Sequence, residues 1–109
     1  MDSTRALKAF AALGQPTRLD VFRLLIKAGA SGMSAGEIGE TLDVRQNTMS
    51  TNLSILAQSG LIRSERQGRS IRYFADMAGV RALLAFLMED CCGGCPDQCQ
   101  PLIDELICC

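Results

Sequence analysis

The sequence contains no histidine, and none of its first ninety residues is a cysteine. Without an imidazole the chain has no Ser-His nucleophile and no histidine-ligated metal site. Its longest uncharged apolar run near the C-terminus, residues 82–88, is far too short to cross a bilayer. The first five residues read MDSTR, and Lys8 interrupts the apolar stretch that follows, so no secretory signal is visible. We therefore expect a cytoplasmic protein with reduced thiols and no membrane partner.

Charge is distributed unevenly along the chain, although the net charge is only −1. Residues 44–75 carry five arginines against one glutamate, whereas residues 76–109 carry one arginine against six acidic residues. A chain of 109 residues is long enough for one hydrophobic core but not for two. A uniformly solvated surface does not predict a basic segment in the middle of one small domain, so residues 44–75 are candidates for a binding role.

Apolar periodicity predicts a mainly helical chain. Helical spacing predicts one helix over residues 5–13 and a second from Thr17, taken as its N-cap, to Gly29. Ser34 and Glu37 have the spacing of a capping box, which begins a short third helix. Apolar residues recur at i, i+3, i+4, i+7 and i+8 from Val80, which predicts a last amphipathic helix over 77–90.

A second polar helix follows the short one after a turn of a few residues. It is predicted from Arg45 or Gln46 to about Ser59, with Met49, Leu53 and Leu56 facing inward. A short helix, a turn and a polar-faced helix are typical of a helix-turn-helix. Two segments of partly alternating polarity, 61–66 and 69–74, flank Gln67-Gly68 and predict a β-hairpin that can serve as a wing.

The polar helix and the hairpin carry side chains suited to DNA. Glutamine and asparagine pair with adenine edges, serine and threonine bind bases or phosphates, and arginine binds phosphates or the minor groove. The predicted DNA-binding residues are Arg45, Gln46, Asn47, Thr48, Ser50, Thr51, Asn52, Arg66, Arg69 and Arg72. Either element alone is also explained by an ordinary solvated surface, but their succession in one domain favours DNA binding.

All six cysteines fall within the last nineteen residues. A disulfide framework would staple the fold throughout, so this distribution argues against one. Clustered reduced thiols instead indicate a soft metal or redox chemistry. The cysteines are Cys91, Cys92, Cys95, Cys99, Cys108 and Cys109.

Four motifs in order resemble the ArsR/SmtB family of metal-responsive repressors. They are ALGQPTRL at 12–19, RQNTMSTNLSIL at 45–56, GLI at 60–62 and GRSIRY at 68–73. The resemblance covers roughly residues 5–90, with Asn52 where the family often has histidine and Arg45 where it often has serine. It implies a mainly α (α+β) winged helix-turn-helix with a two-stranded β-hairpin wing. It also implies a homodimer, joined through the first and last helices, that represses without inducer and leaves operator DNA on binding it.

Residues 91–99, CCGGCPDQC, resemble the thiol site of the arsenic-responsive members of that family. The resemblance implies a DNA-binding and dimerisation domain over 1–90 and a cysteine-rich inducer-binding segment over 91–109. Trivalent arsenic is soft and suits a pyramid of three thiolates, as do Sb(III) and methylated arsenicals. The expected ligands are Cys91, Cys92 and Cys99, with Cys95 as the alternative third ligand.

Three alternatives stay open for the thiols. Zinc suits a four-thiolate site that uses the CxxC spacing of Cys92 and Cys95, and cadmium is a similarly soft inducer. Thiol oxidation or persulfide sensing is the second alternative, and a zinc-stabilised interaction module that does not bind DNA is the third. We do not expect an enzyme, because an arsenate or disulfide reductase would place its thiolate at a helix N-terminus. These cysteines instead follow a helix and acidic residues.

Overall fold

The computed structural model describes residues 1–88 together with Pro101 and Glu105. The described elements run α1 (Ser3–Leu13), α2 (Pro16–Ala28), a 3-10 turn (Gly29–Ser31), β1 (Met33–Ser34), α3 (Ala35–Leu42), α4 (Gln46–Gln58), β2 (Ile62–Gln67), β3 (Ser70–Ala75) and α5 (Met77–Leu87). The mainly helical winged fold predicted from the sequence is confirmed. Within the described part of the chain, no helix is long and apolar enough to cross a membrane.

The wing belongs to an antiparallel sheet with the strand order β1-β3-β2. The two long strands pair from Ile62↔Ala75 to Gln67↔Ser70, so the turn between them is Gly68-Arg69. The turn therefore lies one residue later than predicted, and Gly68 takes the positive φ of 64° that this position requires. β1 was not predicted, because two residues are too few for a periodic signal.

The core forms where α1, α2, α3 and α4 meet the base of the wing. Its fully buried large side chains are Val21, Leu25, Ile38, Met49, Leu53, Leu56 and Leu61. The inward face predicted for α4 is thereby confirmed. On α1 the buried residues are alanines, Ala6, Ala9 and Ala12, whereas Leu7 is 68% exposed and Phe10 is 42% exposed. The small alanine face allows α1 to pack closely against the domain. Because the alanines occupy the buried face, the large apolar side chains lie on the exposed face.

Local capping explains where α2 and α3 begin. The prediction that Thr17 caps α2 is wrong, because Pro16 lies inside the first turn and Gln15 is the N-cap. The side-chain oxygen of Gln15 accepts the backbone N–H of Arg18 at 2.8 Å. The capping box of α3 is confirmed: Ser34 Oγ accepts the Glu37 N–H at 3.2 Å, and Glu37 Oε1 accepts the Ser34 N–H at 3.0 Å.

Candidate nucleic-acid interface

The turn between α3 and α4 is short and tightly closed. Asp43 ends α3 in the left-handed conformation with φ of 55°. The Val44 N–H donates to the carbonyl oxygen of Gly39 at 2.9 Å, and an added Cβ on Gly39 would lie 3.0 Å from the Val44 carbonyl oxygen. The chain therefore turns within three residues into α4, as the helix-turn-helix prediction requires.

The N-terminal half of α4 presents a continuous polar surface. Arg45 occupies the N-cap position in an extended conformation, and its side chain makes no capping hydrogen bond. In the first turn of the helix, Oδ1 of the Asn47 side chain accepts a hydrogen bond from the Thr48 backbone N–H at 3.1 Å. The amide donors of this exposed helix start, with the positive end of the helix dipole, suit a DNA phosphate.

Most of the predicted base-reading residues share one exposed side of α4. The exposed members of the predicted set are Arg45, Gln46, Asn47, Thr48, Ser50 and Thr51. Ser54 extends the same surface one turn beyond Ser50; it was not in the predicted set, although its i+4 spacing is a signal for it. The Thr51 hydroxyl donates to the Asn47 carbonyl oxygen at 3.2 Å, so its hydroxyl hydrogen is already engaged.

Asn52 lies on the buried side of α4, one turn after the exposed Thr48. It is only 6% exposed, and its Oδ1 accepts a hydrogen bond from Nη1 of Arg18 at 3.4 Å. The structure therefore gives Asn52 a partner inside the protein rather than a place on the exposed surface. Its assignment to DNA contact stays a prediction from sequence that this geometry does not favour.

The arginines of the wing fall into two groups. Arg66 and Arg69 are exposed, and Arg69 lies in the turn itself. Arg63 pairs with Glu65 at 2.6 Å and lies 4.5 Å from the centre of the Phe74 ring. The tip of the wing therefore offers Arg66 and Arg69 to phosphates or to the minor groove.

Arg72, also predicted to bind DNA, joins the wing to the start of α3. Its guanidinium donates to the carbonyl oxygens of Ser31 at 3.0 Å and Gly32 at 2.9 Å, and it pairs with Glu37 Oε1 at 3.1 Å. These contacts occupy most of its donors. The geometry favours a role in holding β3 against the helix-turn-helix over contact with phosphate.

Known proteins combine these elements in the same way. A family model described as a helix-turn-helix domain matches residues 13–65. The HTH-type transcriptional regulator MJ1325 of Methanocaldococcus jannaschii is 34% identical over 85 residues, which cover 78% of this chain and 93% of the relative. The chain belongs to the helix-turn-helix transcriptional regulators. The transcriptional repressor SdpR of Bacillus subtilis is 38% identical to this regulator over 64 residues, covering 59% of this chain and 68% of SdpR.

A solved structure extends the similarity beyond the helix-turn-helix. The ArsR-like transcriptional regulator from Rhodococcus sp. RHA1 superimposes with a TM-score of 0.71 at 27% identity, covering 94% of this regulator and 92% of the other chain. The ArsR-like winged helix that the sequence motifs implied is therefore shown.

Electrostatics at the start of α3 depend on Glu37. Hydrogen bonds from Ser34, the backbone one first, and the nearby positive charge of Arg72 hold the pKa of Glu37 below its ordinary value of 4.5. The carboxylate is thus ionised at neutral pH, where it caps the helix and pairs with the wing arginine. Among the described residues, Arg72–Glu37 is the one ion pair between the wing and the helix-turn-helix.

The predicted thiol site lies outside the described residues of the regulator, since all six cysteines fall at positions 91–109. Among the residues that the structure does describe, no group of three acidic or thiol side chains comes together as a metal site. The assignments of Cys91, Cys92, Cys95 and Cys99 therefore stay predictions from the sequence.

Proposed function

We propose that the regulator is a homodimeric repressor that binds operator DNA without inducer and leaves it when trivalent arsenic binds its C-terminal thiolates. The observation that carries the DNA-binding part is the exposed polar N-terminal half of α4, together with the exposed arginines at the wing tip. Gln46 and Asn47, at the end of the helix that enters the major groove, are suited to adenine edges. Arg66 and Arg69 supply phosphate or minor-groove contacts.

Exposed apolar side chains support the dimer. Leu7 and Phe10 on α1 are 68% and 42% exposed, and on α5 the corresponding fractions are 51% for Met77, 43% for Leu84 and 49% for Leu87. Two helices of one small domain that both expose large apolar residues favour a partner surface. A two-fold dimer formed through α1 and α5 would place two copies of α4 about one DNA turn, roughly 34 Å, apart.

The inducer part of the proposal is supported by thiol chemistry. Arsenite, As(OH)3, condenses with three thiols to form As(SR)3 and three waters, without a change of oxidation state. Cys91 and Cys92 supply two sulfurs, and Cys99, or Cys95 in its place, supplies the third. Sb(III) reacts in the same way, and a methylated arsenical needs fewer thiols. The cytoplasm, where thiols stay reduced, is the compartment in which this site would work.

Coupling between the two parts would run along α5. This helix ends at Leu87, only a few residues before Cys91 in the sequence, and it carries exposed apolar residues of the proposed dimer surface. Closing an arsenic site there would change the dimer geometry and thereby the spacing of the two α4 helices. A coupling of about 1–3 kcal/mol per site is enough for a useful switch, and DNA must weaken arsenic binding by the same factor.

A direct test is titration of arsenite into the fully reduced regulator bound to the DNA upstream of its own gene. We expect release of the wild type. We expect three variants to keep DNA binding but resist release by arsenite: Cys91→Ser, Cys92→Ser and Cys99→Ser. If Cys95→Ser resists release and Cys99→Ser does not, Cys95 is the third ligand instead. Cys108→Ser is the matched control and should behave as the wild type.

The same titration separates the alternatives for the thiols. Loss of DNA binding in the cysteine variants would mean that the thiols are structural, as in a zinc site. Release by zinc, cadmium or a thiol oxidant, without release by arsenite, would replace arsenic as the inducer. If the reduced wild type never binds DNA, the repressor proposal itself is wrong.

A further inference from the structure

Arg18 lies where three helices meet. It belongs to the first turn of α2, and its side chain is partly buried. Its Nε donates to the carbonyl oxygen of Ala12 at 2.6 Å, and its Nη2 donates to that of Ala11 at 3.4 Å. These carbonyls belong to the last turn of α1, where the helix supplies few partners for its acceptors, and that of Ala11 also accepts the Gly14 N–H at 3.3 Å. A cation at this end also complements the helix dipole.

The same guanidinium reaches α4. Nη1 of Arg18 donates to Oδ1 of Asn52 at 3.4 Å, and Asn52 is buried in the middle of that helix. A buried amide needs a hydrogen-bond partner, and every buried side-chain nitrogen or oxygen in the described structure has one. One side chain therefore ties the C-terminal end of α1 to the centre of α4. Arginine suits this place because its planar fork holds donors on three separate nitrogens, whereas the three donors of lysine all lie on a single nitrogen.

We infer that Arg18 is a positioning residue for DNA recognition: through Asn52 it sets the orientation of α4 relative to α1. The inference rests on the proposed binding of DNA through α4. Asn52 is six residues after Gln46, a lever of about 9 Å at a rise of about 1.5 Å per residue. A tilt of about 10° around Asn52 then displaces Gln46 by about 1.6 Å, which is enough to break a hydrogen bond to a base edge. Phosphate contacts from the flexible wing arginines tolerate such a shift far better.

The prediction concerns specificity more than affinity. Arg18→Lys and Asn52→Leu should lower the ratio of operator binding to random-DNA binding by about tenfold, the scale of one lost base contact. Binding to random DNA and its dependence on salt should stay unchanged, because Arg66 and Arg69 are untouched. Asn52→Asp keeps an acceptor for Arg18 and should keep the wild-type ratio. Arg23→Lys, an exposed arginine on the same helix, is the matched control.

The experiment is competition gel retardation with labelled operator and unlabelled random duplex, at a temperature where circular dichroism shows every variant fully folded. Reduced ratios in Arg18→Lys and Asn52→Leu, with a retained ratio in Asn52→Asp, would support the inference. An unchanged ratio in the first two would overturn it, as would equal losses on both DNAs, which indicate a merely structural role. A wild-type protein with no preference for its operator would overturn the proposed function, and this inference with it.

Discussion

Replacing Gly79 with alanine tests how α5 is seated on the DNA-binding domain. An added Cβ at Gly79 would overlap the carbonyl oxygen of Gly60 and lie 3.0 Å from its carbonyl carbon. Both atoms are backbone at the corner between α4 and β2, so no side chain can move aside. α5 would have to retreat by about 1–2 Å to restore ordinary van der Waals contact. The nearby hydrogen bond from the Asp76 N–H to the Leu61 carbonyl oxygen, 2.9 Å long, would be stretched as well.

The expected cost follows from these two effects. Overpacking of this kind costs about 1–3 kcal/mol, and loss of the hydrogen bond adds about 0.5–1.5 kcal/mol. A total of about 1.5–4.5 kcal/mol should lower the melting temperature of so small a domain by about 6 °C or more. Thermal unfolding followed by circular dichroism at one fixed protein concentration measures it, since a dimer's stability depends on concentration.

Gly36 provides the matched control. It lies in the first turn of α3, and an added Cβ there would meet only Ser34 Oγ, at an ordinary 3.9 Å. Gly36→Ala should therefore raise stability by up to about 1 kcal/mol through its effect on helix propensity. The same chemical change thus has opposite signs at the two positions. A melting temperature for Gly79→Ala equal to or above that of the wild type would refute the close approach of α5 to Gly60.

Four further substitutions test the interface. Gln46→Ala should reduce the preference for operator over random DNA, measured by competition gel retardation; an equal loss on both would contradict a role in base reading. Arg69→Ala should weaken binding to all sequences and reduce the salt slope of the dimer by about two, since one phosphate contact is lost from each protomer. Arg72→Ala should instead lower the melting temperature and leave that slope unchanged. Because the folded-state pKa of Glu37 lies below 4.5, its stabilising contribution is present above that pH and is lost as the pH falls through the folded-state value. The melting temperatures of wild type and Glu37→Gln, compared across pH, should therefore converge in acid. A constant difference would contradict the lowered pKa of Glu37, and with it the hydrogen bonds from Ser34 and the charge of Arg72 that cause it.

Features predicted correctly from the sequence are those decided within one or two helical turns. The capping box of Ser34 and Glu37 joins residues three apart, and the inward face of α4 follows from the period of Met49, Leu53 and Leu56. The start of α2 could also have been predicted from neighbouring residues. Proline is favoured in the first turn of a helix, so Pro16 indicates that the preceding Gln15 is the N-cap. Thr17 has a favourable capping side chain, but it follows Pro16 and therefore already lies inside the helix.

What sequence reasoning missed depends on contacts between distant parts of the chain. Arg72 binds carbonyls at Ser31 and Gly32, about forty positions earlier, and Arg18 reaches Asn52 across 34 positions. Nothing in the local pattern distinguishes these arginines from the exposed Arg66 and Arg69. Only the fold, which brings β3 against the start of α3 and α2 against α4, shows that these two side chains have hydrogen-bond partners inside the protein.

This division of the arginines changes the expected strength of the electrostatic interaction with DNA. Five arginines lie in residues 44–75, which for a dimer would give a salt slope near −9 if each neutralised one phosphate. In the described structure Arg63 and Arg72 are engaged by Glu65 and Glu37, which leaves Arg45, Arg66 and Arg69 exposed and without an ion pair. Three per protomer limit the contribution of α4 and the wing to a slope of about −5. Measuring the operator dissociation constant across a series of salt concentrations distinguishes the two values. A slope near −9 would mean that DNA recruits Arg63 and Arg72 by breaking their ion pairs, and that the contact between wing and α3 is remade on binding.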